Sequence, residues 1–178
     1  MAKDMKPIPA LTTLLSVLAL AASGCGGGNS VADAYANGVC TVIGSWVTTV
    51  KPLATGPSGA ITQAAVEAKL KDFQTATKHL ASRLKAVPAP KTSDVRAIKK
   101  EIDLLATQIR RTAADVKVAA ANVGKNASRS QMSTALAALA SQFQVLRTTA
   151  QATLASLESA GGSLANAFRG SNACKQLG

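Results

Sequence analysis

From Val31 to Val50 the apolar side chains Tyr35, Val39, Ile43, Trp46 and Val50 recur at steps of four, four, three and four, the period of a helix with one buried face. Gly38, Gly44 and the β-branched run Val47-Thr48-Thr49-Val50 oppose helix formation locally, so this segment must draw its stability from packing. Lys51-Pro52 through Gly56-Pro57-Ser58-Gly59 then breaks the pattern. A second helix follows in which Val66, Leu70, Phe73, Thr77, Leu80, Leu84 and Val87 alternate by four and three, a heptad seam that Pro88-Ala89-Pro90 ends.

Thr92 or Ser93 is the expected N-cap of a third helix, with Asp94 in its first turn where a carboxylate complements the positive helix end. Its seam is Val95, Ile98, Ile102, Leu105, Ile109, Thr112, Val116, Ala119 and Val123, and Gly124-Lys125-Asn126 supplies the stop. Ser128-Arg129-Ser130-Gln131 has the spacing of a capping box and opens a fourth helix, lined on its buried side by Met132, Leu136, Leu139, Phe143, Leu146, Ala150 and Leu157. Gly161-Gly162 marks a break or kink, beyond which Leu164 and Phe168 carry the pattern toward Cys174.

Short connections between long helices force neighbours to run antiparallel, so the expected fold is all-α, an up-down-up-down four-helix bundle. The alternative is a three-helix bundle with a short N-terminal helix. Composition agrees with either, since 36 of the 178 residues are Ala and only 3% are aromatic, a balance that favours closely approaching helices over sheets. Charged residues make up 16% of the chain, too few for a disordered polyelectrolyte.

Upstream of the helices, Lys3 and Lys6 precede an uncharged, mostly apolar run from Ala10 to Ala22, followed by Ser23 and Gly24. The run is about 13 residues, shorter than the ~20 of a spanning helix, and reads as an export signal. Cys25-Gly26-Gly27-Gly28-Asn29-Ser30 then reads as a flexible tether. Ala22-Ser23-Gly24-Cys25 resembles the lipobox of bacterial lipoproteins, departing from it at Ala22, where Leu, Val or Ile is usual. The resemblance covers residues 1 to 30. It implies a signal peptide over 1–24 that is removed, a Cys25 thiol acylated with diacylglycerol, a tether over 25–30 and a helical domain over 31–178 held at the extracytoplasmic face of the cell membrane. The alternative is secretion without an anchor, for which Ala19-Leu20-Ala21 offers a small-x-small cleavage site. In its Ala-rich helices and glycine tether the chain is similar to small uncharacterised lipoproteins of high-GC Gram-positive bacteria.

Lipidation of Cys25 accounts for an odd number of cysteines in an exported chain and leaves Cys40 and Cys174 as one expected disulfide. In a bundle of this topology the end of the fourth helix lies beside the start of the first, which brings the two within bonding reach. A bond spanning that much chain is worth about 5 kcal/mol in the chain-entropy model before native strain is subtracted.

Catalytic chemistry finds little support. His79 is the single histidine, placed on the flank of the second seam without an evident partner. HExxH, CxxCH, the P-loop, GxSxG and EF-hand patterns do not occur in the sequence. The carboxylates Glu67, Asp72, Glu101, Asp103, Asp115 and Glu158 fall off the seams, and no Glu-x-x-His accompanies them, so neither a bundle-core metal site nor a cofactor is expected. The expectation is a non-enzymatic binding or structural module. A competing reading is a small-ligand carrier or enzyme with an inter-helix cavity left open by Gly38, Gly44 and Ala119.

Charge supplies the one functional signal. The net charge is +11, and Lys71, Lys78 and Lys85 recur every seven residues beside the second seam. Arg96, Lys99 and Lys100, with Arg110, Arg111 and Lys117 further on, enrich the third helix. These residues form a candidate contact face for anionic lipid or cell-wall polymer. Nucleic acid is set aside, because export and the lack of interleaved aromatics argue against it.

Overall fold

The computed structural model describes residues 30–55, 61–124 and 126–177. Four long helices form the body: α1 (Ser30–Ala54), α2 (Gln63–Ala86), α3 (Val95–Ala121) and α4 (Arg129–Ser159), followed by the short α5 (Gly162–Gly170) and α6 (Asn172–Lys175). The first helix is therefore a full member of the bundle. Among the described residues none of the secondary structure is strand.

The helix ends follow from local chemistry. Thr62 caps α2 by accepting from the Ala65 amide at 3.3 Å. At α4 the capping box forms: Ser128 Oγ accepts from the Gln131 amide at 3.2 Å, and Gln131 Oε1 accepts from the Ser128 amide at 2.7 Å. Pro52, which the sequence pattern places in the break, instead lies within the last turn of α1. Open carbonyls at that end are met by Lys69, whose Nζ donates to the Thr55 carbonyl at 2.9 Å and the Pro52 carbonyl at 3.4 Å.

Contacts between helices fix an up-down-up-down order. A Cβ built on Gly38 would lie 3.0 Å from Val87 Cγ1, so the start of α1 meets the end of α2, and glycine is what permits that approach. Gln74 Nε2 donates to the Ala113 carbonyl at 3.3 Å, joining the middle of α2 to α3. The start of α3, at Ala97 and Ile98, lies beside Leu157 and Ala160 at the end of α4. Trp46 of α1 packs on Phe143 of α4 at 5.7 Å between ring centroids, and α1 and α3 lie diagonally across the bundle.

The seams form the core: Val39, Ile43, Leu70, Phe73, Ile98, Ile109, Leu139, Leu146 and Leu157 are fully buried. The expected α4 seam needs one adjustment, because Leu136 is only half-buried while Ala135 and Leu154 are buried. The buried apolar side chains of the described residues run from Ala32 to Cys174.

Gly161 and Gly162 do more than kink a helix. Both have positive φ, 80° and 82°, a conformation that costs glycine least, and the chain reverses there. The remaining residues climb back along α1 in parallel with it. Phe168 meets Tyr35 edge-on at 6.2 Å, Ser171 Oγ donates to Asn37 Oδ1 at 2.6 Å, and Leu177 reaches Gly44. Between these contacts Cys40 and Cys174 form the expected disulfide, with Cα atoms 5.0 Å apart and 134 residues between them in sequence. Cys174 thus reaches Cys40 on a strap that doubles back at the break or kink expected at Gly161-Gly162, a reversal that the sequence pattern did not specify.

Candidate functional site

The antiparallel register of α2 and α3 decides where the basic residues stand. With Gln74 level with Ala113, Lys71 comes within one residue of Lys117, Lys78 within one residue of Arg110, and Lys85 level with Ile102, between Lys99 and Asp103. Each step of seven residues is about 10.5 Å of helix rise. All six side chains are exposed and lie on the flanks that the two helices turn toward each other, while Ala81, Ala106 and Ala113 are buried between them. The outer α2–α3 groove therefore has an alanine floor and a basic rim on both sides. Acidic groups stand on the rims too: exposed Glu67, one turn before Lys71 on the same flank of α2, and Asp103, which accepts from Lys99 Nζ at 3.1 Å, the single ion pair among the described residues.

Arg96 stands exposed at the start of α3, at the end of the same groove. Lys100 and Arg111 fall about 100° further round α3 than Lys99 and Arg110, on the side directly opposite the core. On that outermost stripe they alternate with two large apolar side chains, Leu104 at 55% exposure and Val118 at 64%. The α3 seam passes these two residues by for the same reason that they are exposed: neither falls on the buried period. Their distance from the seam was the available signal. The other exposed large apolar side chains among the described residues, Val31 and Val145, lie on α1 and α4.

The Cys25 site and the proposed signal peptide lie outside the described residues. His79 is exposed and borders a shallow groove with Trp46, Thr49 and Arg83. Among the described residues no three His, Cys, Asp or Glu side chains converge as a metal-holding group, and no helix is long and apolar enough to cross a membrane.

Two acids depart from their ordinary titration for structural reasons. The Thr92 hydroxyl and the Leu164 amide hold the Asp94 carboxyl below its usual range. Burial pushes the Tyr35 phenol up, and the Asp103 carboxylate adds to the effect. Asp94 corrects the sequence expectation: it occupies the N-cap position of α3 itself, yet makes no side-chain cap bond to that helix. Its Oδ2 accepts from the Leu164 amide at 3.1 Å and the Ser163 hydroxyl at 3.4 Å, capping α5.

The small residues named for a cavity have separate fates. Gly38 is covered by Val87, whereas Gly44 borders an open groove of about 540 Å³ between α1 and the C-terminal strap. That groove carries hydroxyls, but Thr48 and Thr49 spend theirs on the Gly44 and Ser45 carbonyls of their own helix. Ala119 borders another open groove, of about 360 Å³, between the end of α3 and the start of α4. Comparison of the chain with protein-family models, curated proteins and solved structures returns no match.

Proposed function

We propose that the chain is a lipid-anchored bacterial lipoprotein of the extracytoplasmic membrane face, a non-enzymatic module whose basic α2–α3 face makes the functional contact. The observation that carries this reading is the Cys40–Cys174 disulfide. Such a bond belongs to an oxidising compartment, which supports export, and it leaves Cys25, the lipobox-type cysteine, as the third thiol to be explained. The basic rims support a contact role because two rows of like charge facing each other repel, a cost relieved by an anionic partner. The displaced titration of Asp94 and Tyr35 comes from helix capping and core burial at two separate places in the bundle.

Intact mass of the protein taken from the membrane fraction of its own cells tests this reading. The expected species starts at Cys25, carries a diacylglyceryl adduct, and gains two hydrogens on reduction. A species that keeps Met1 and three free thiols overturns it, and an unmodified product beginning at Ala22 replaces anchoring by secretion.

A further inference from the structure

We propose that the outer face of α3 is a peripheral membrane-binding surface, which lies flat on an anionic bilayer with Leu104 and Val118 entering the interface and the flanking cations on the headgroups. The inference deepens the contact-face reading above. It rests on a coincidence of two independent features on one face. Leu104 and Val118, two heptads apart, sit on the stripe opposite the core, so the fold leaves both projecting from the same line of α3. That line also carries Lys100 and Arg111, and the paired basic rows of the α2–α3 groove run along its side.

Charge alone would suit a soluble polyanion as well as a membrane. The apolar pair favours the bilayer, because a linear polyanion in the groove buries neither side chain, whereas the acyl boundary takes up both while long basic side chains reach headgroups around them. Cations outnumber acids on the face: Lys100, Arg110, Arg111 and Lys117 stand against exposed Asp115, one turn from Arg111 and Val118, while Asp103 is paired with Lys99. Chain direction is compatible: Ser30 opens α1 at the end of the bundle where α2 finishes and α3 starts, the end that carries Lys85, Arg96 and Lys99. An anchor upstream of Ser30 would therefore hold the bundle by the end at which this face begins.

The segment from Ser30 onward contains the whole described core and the disulfide, and it lacks Cys25, so its behaviour is independent of acylation. Its binding to phosphatidylglycerol–phosphatidylcholine vesicles is measured against phosphatidylcholine vesicles, with far-UV circular dichroism confirming the fold of each variant. Binding is expected on the anionic vesicles, weakening as salt is raised. Neutralising two cations in K78Q/R110Q should weaken it about 25-fold, at about fivefold per charge, and L104S/V118S should weaken it on the order of tenfold with the salt dependence kept. Equal binding to neutral vesicles, or unchanged affinity in L104S/V118S, overturns the proposal. So does tighter binding to soluble linear polyphosphate that ignores L104S/V118S, which would assign the groove to a polyanion. A negative result here leaves the mass measurement on Cys25 untouched, so the two readings fail separately.

Discussion

Two threonines are buried in the bundle, and they have opposite worth. Thr77 Oγ1 accepts from Trp46 Nε1 at 3.3 Å, which satisfies an indole held between Phe73 and Phe143. Thr112 Oγ1 is buried on the α3 seam without a hydrogen-bond partner. Valine has nearly the same shape as threonine, so exchange at each site isolates the hydroxyl. Thr112→Val should raise stability by about 1 kcal/mol, because an unpaired buried hydroxyl is removed, whereas Thr77→Val should lower it by about 1–3 kcal/mol by orphaning the indole N–H. Urea denaturation midpoints at constant slope measure both; shifts of the same sign in the two variants would refute the assignment.

At the scale of elements, the C-terminal strap depends on a junction that joins distant parts of the chain. Asp94 lies 70 residues from Leu164, whose amide it accepts. A Cβ on Gly162 would stand 2.6 Å from Asp94 Oδ2, at a residue with φ of 82°, so Gly162→Ala both strains the backbone and displaces the cap. Asp94→Ala is expected to cost about 1 kcal/mol, the usual worth of a cap, with α5 amides losing hydrogen-exchange protection before those of α1 to α4. The pH dependence follows from the lowered Asp94 pKa. Its contribution is whole above the ordinary value of 3.8 and is lost as pH falls through the lower folded value, so wild type and Asp94→Ala should converge in stability under acid. A stability gap that persists unchanged into acid would remove the carboxylate from the account. This junction also marks where sequence legibility ends. The four seams, the α4 capping box and the pairing of Cys40 with Cys174 follow from local period and counting. Asp94 beside an apolar run reads as a first-turn carboxylate of its own helix because helix-end preferences are local; its partner is set by tertiary approach, for which the sequence carries no period. The glycine pair announces a break without giving its direction, since two glycines permit a kink and a reversal equally. The basic residues were visible one by one, but their alignment across the groove required the register that Gln74 and Ala113 fix.

For the molecule as a whole, the disulfide ties the returning strap to α1 and closes nearly the entire folded chain into one loop. Four seams already bury the core, so the bond's main effect lies in the denatured state: the cross-link restricts the unfolded ensemble, with a chain-entropy value of about 5 kcal/mol for a loop of this size. Reduction should therefore lower stability by about 2–5 kcal/mol while leaving the helical signal of the native protein nearly unchanged. Denaturant slope separates this account from one in which the bond merely holds local contacts. A reduced chain unfolds to a more open ensemble and exposes more surface, so its slope should exceed that of the oxidised protein. A purely local role would lower the midpoint at constant slope, with protection lost in α5 and α6 alone. The Cys40→Ala, Cys174→Ala double variant supplies the matching measurement without reductant. It should fall below the reduced wild type by only the packing cost of two small buried sulfurs, because both side chains sit inside the core. Oxidised and reduced protein with the same midpoint and slope would show that the strap and bundle are held together by packing, with the bond contributing nothing to the folded chain's margin.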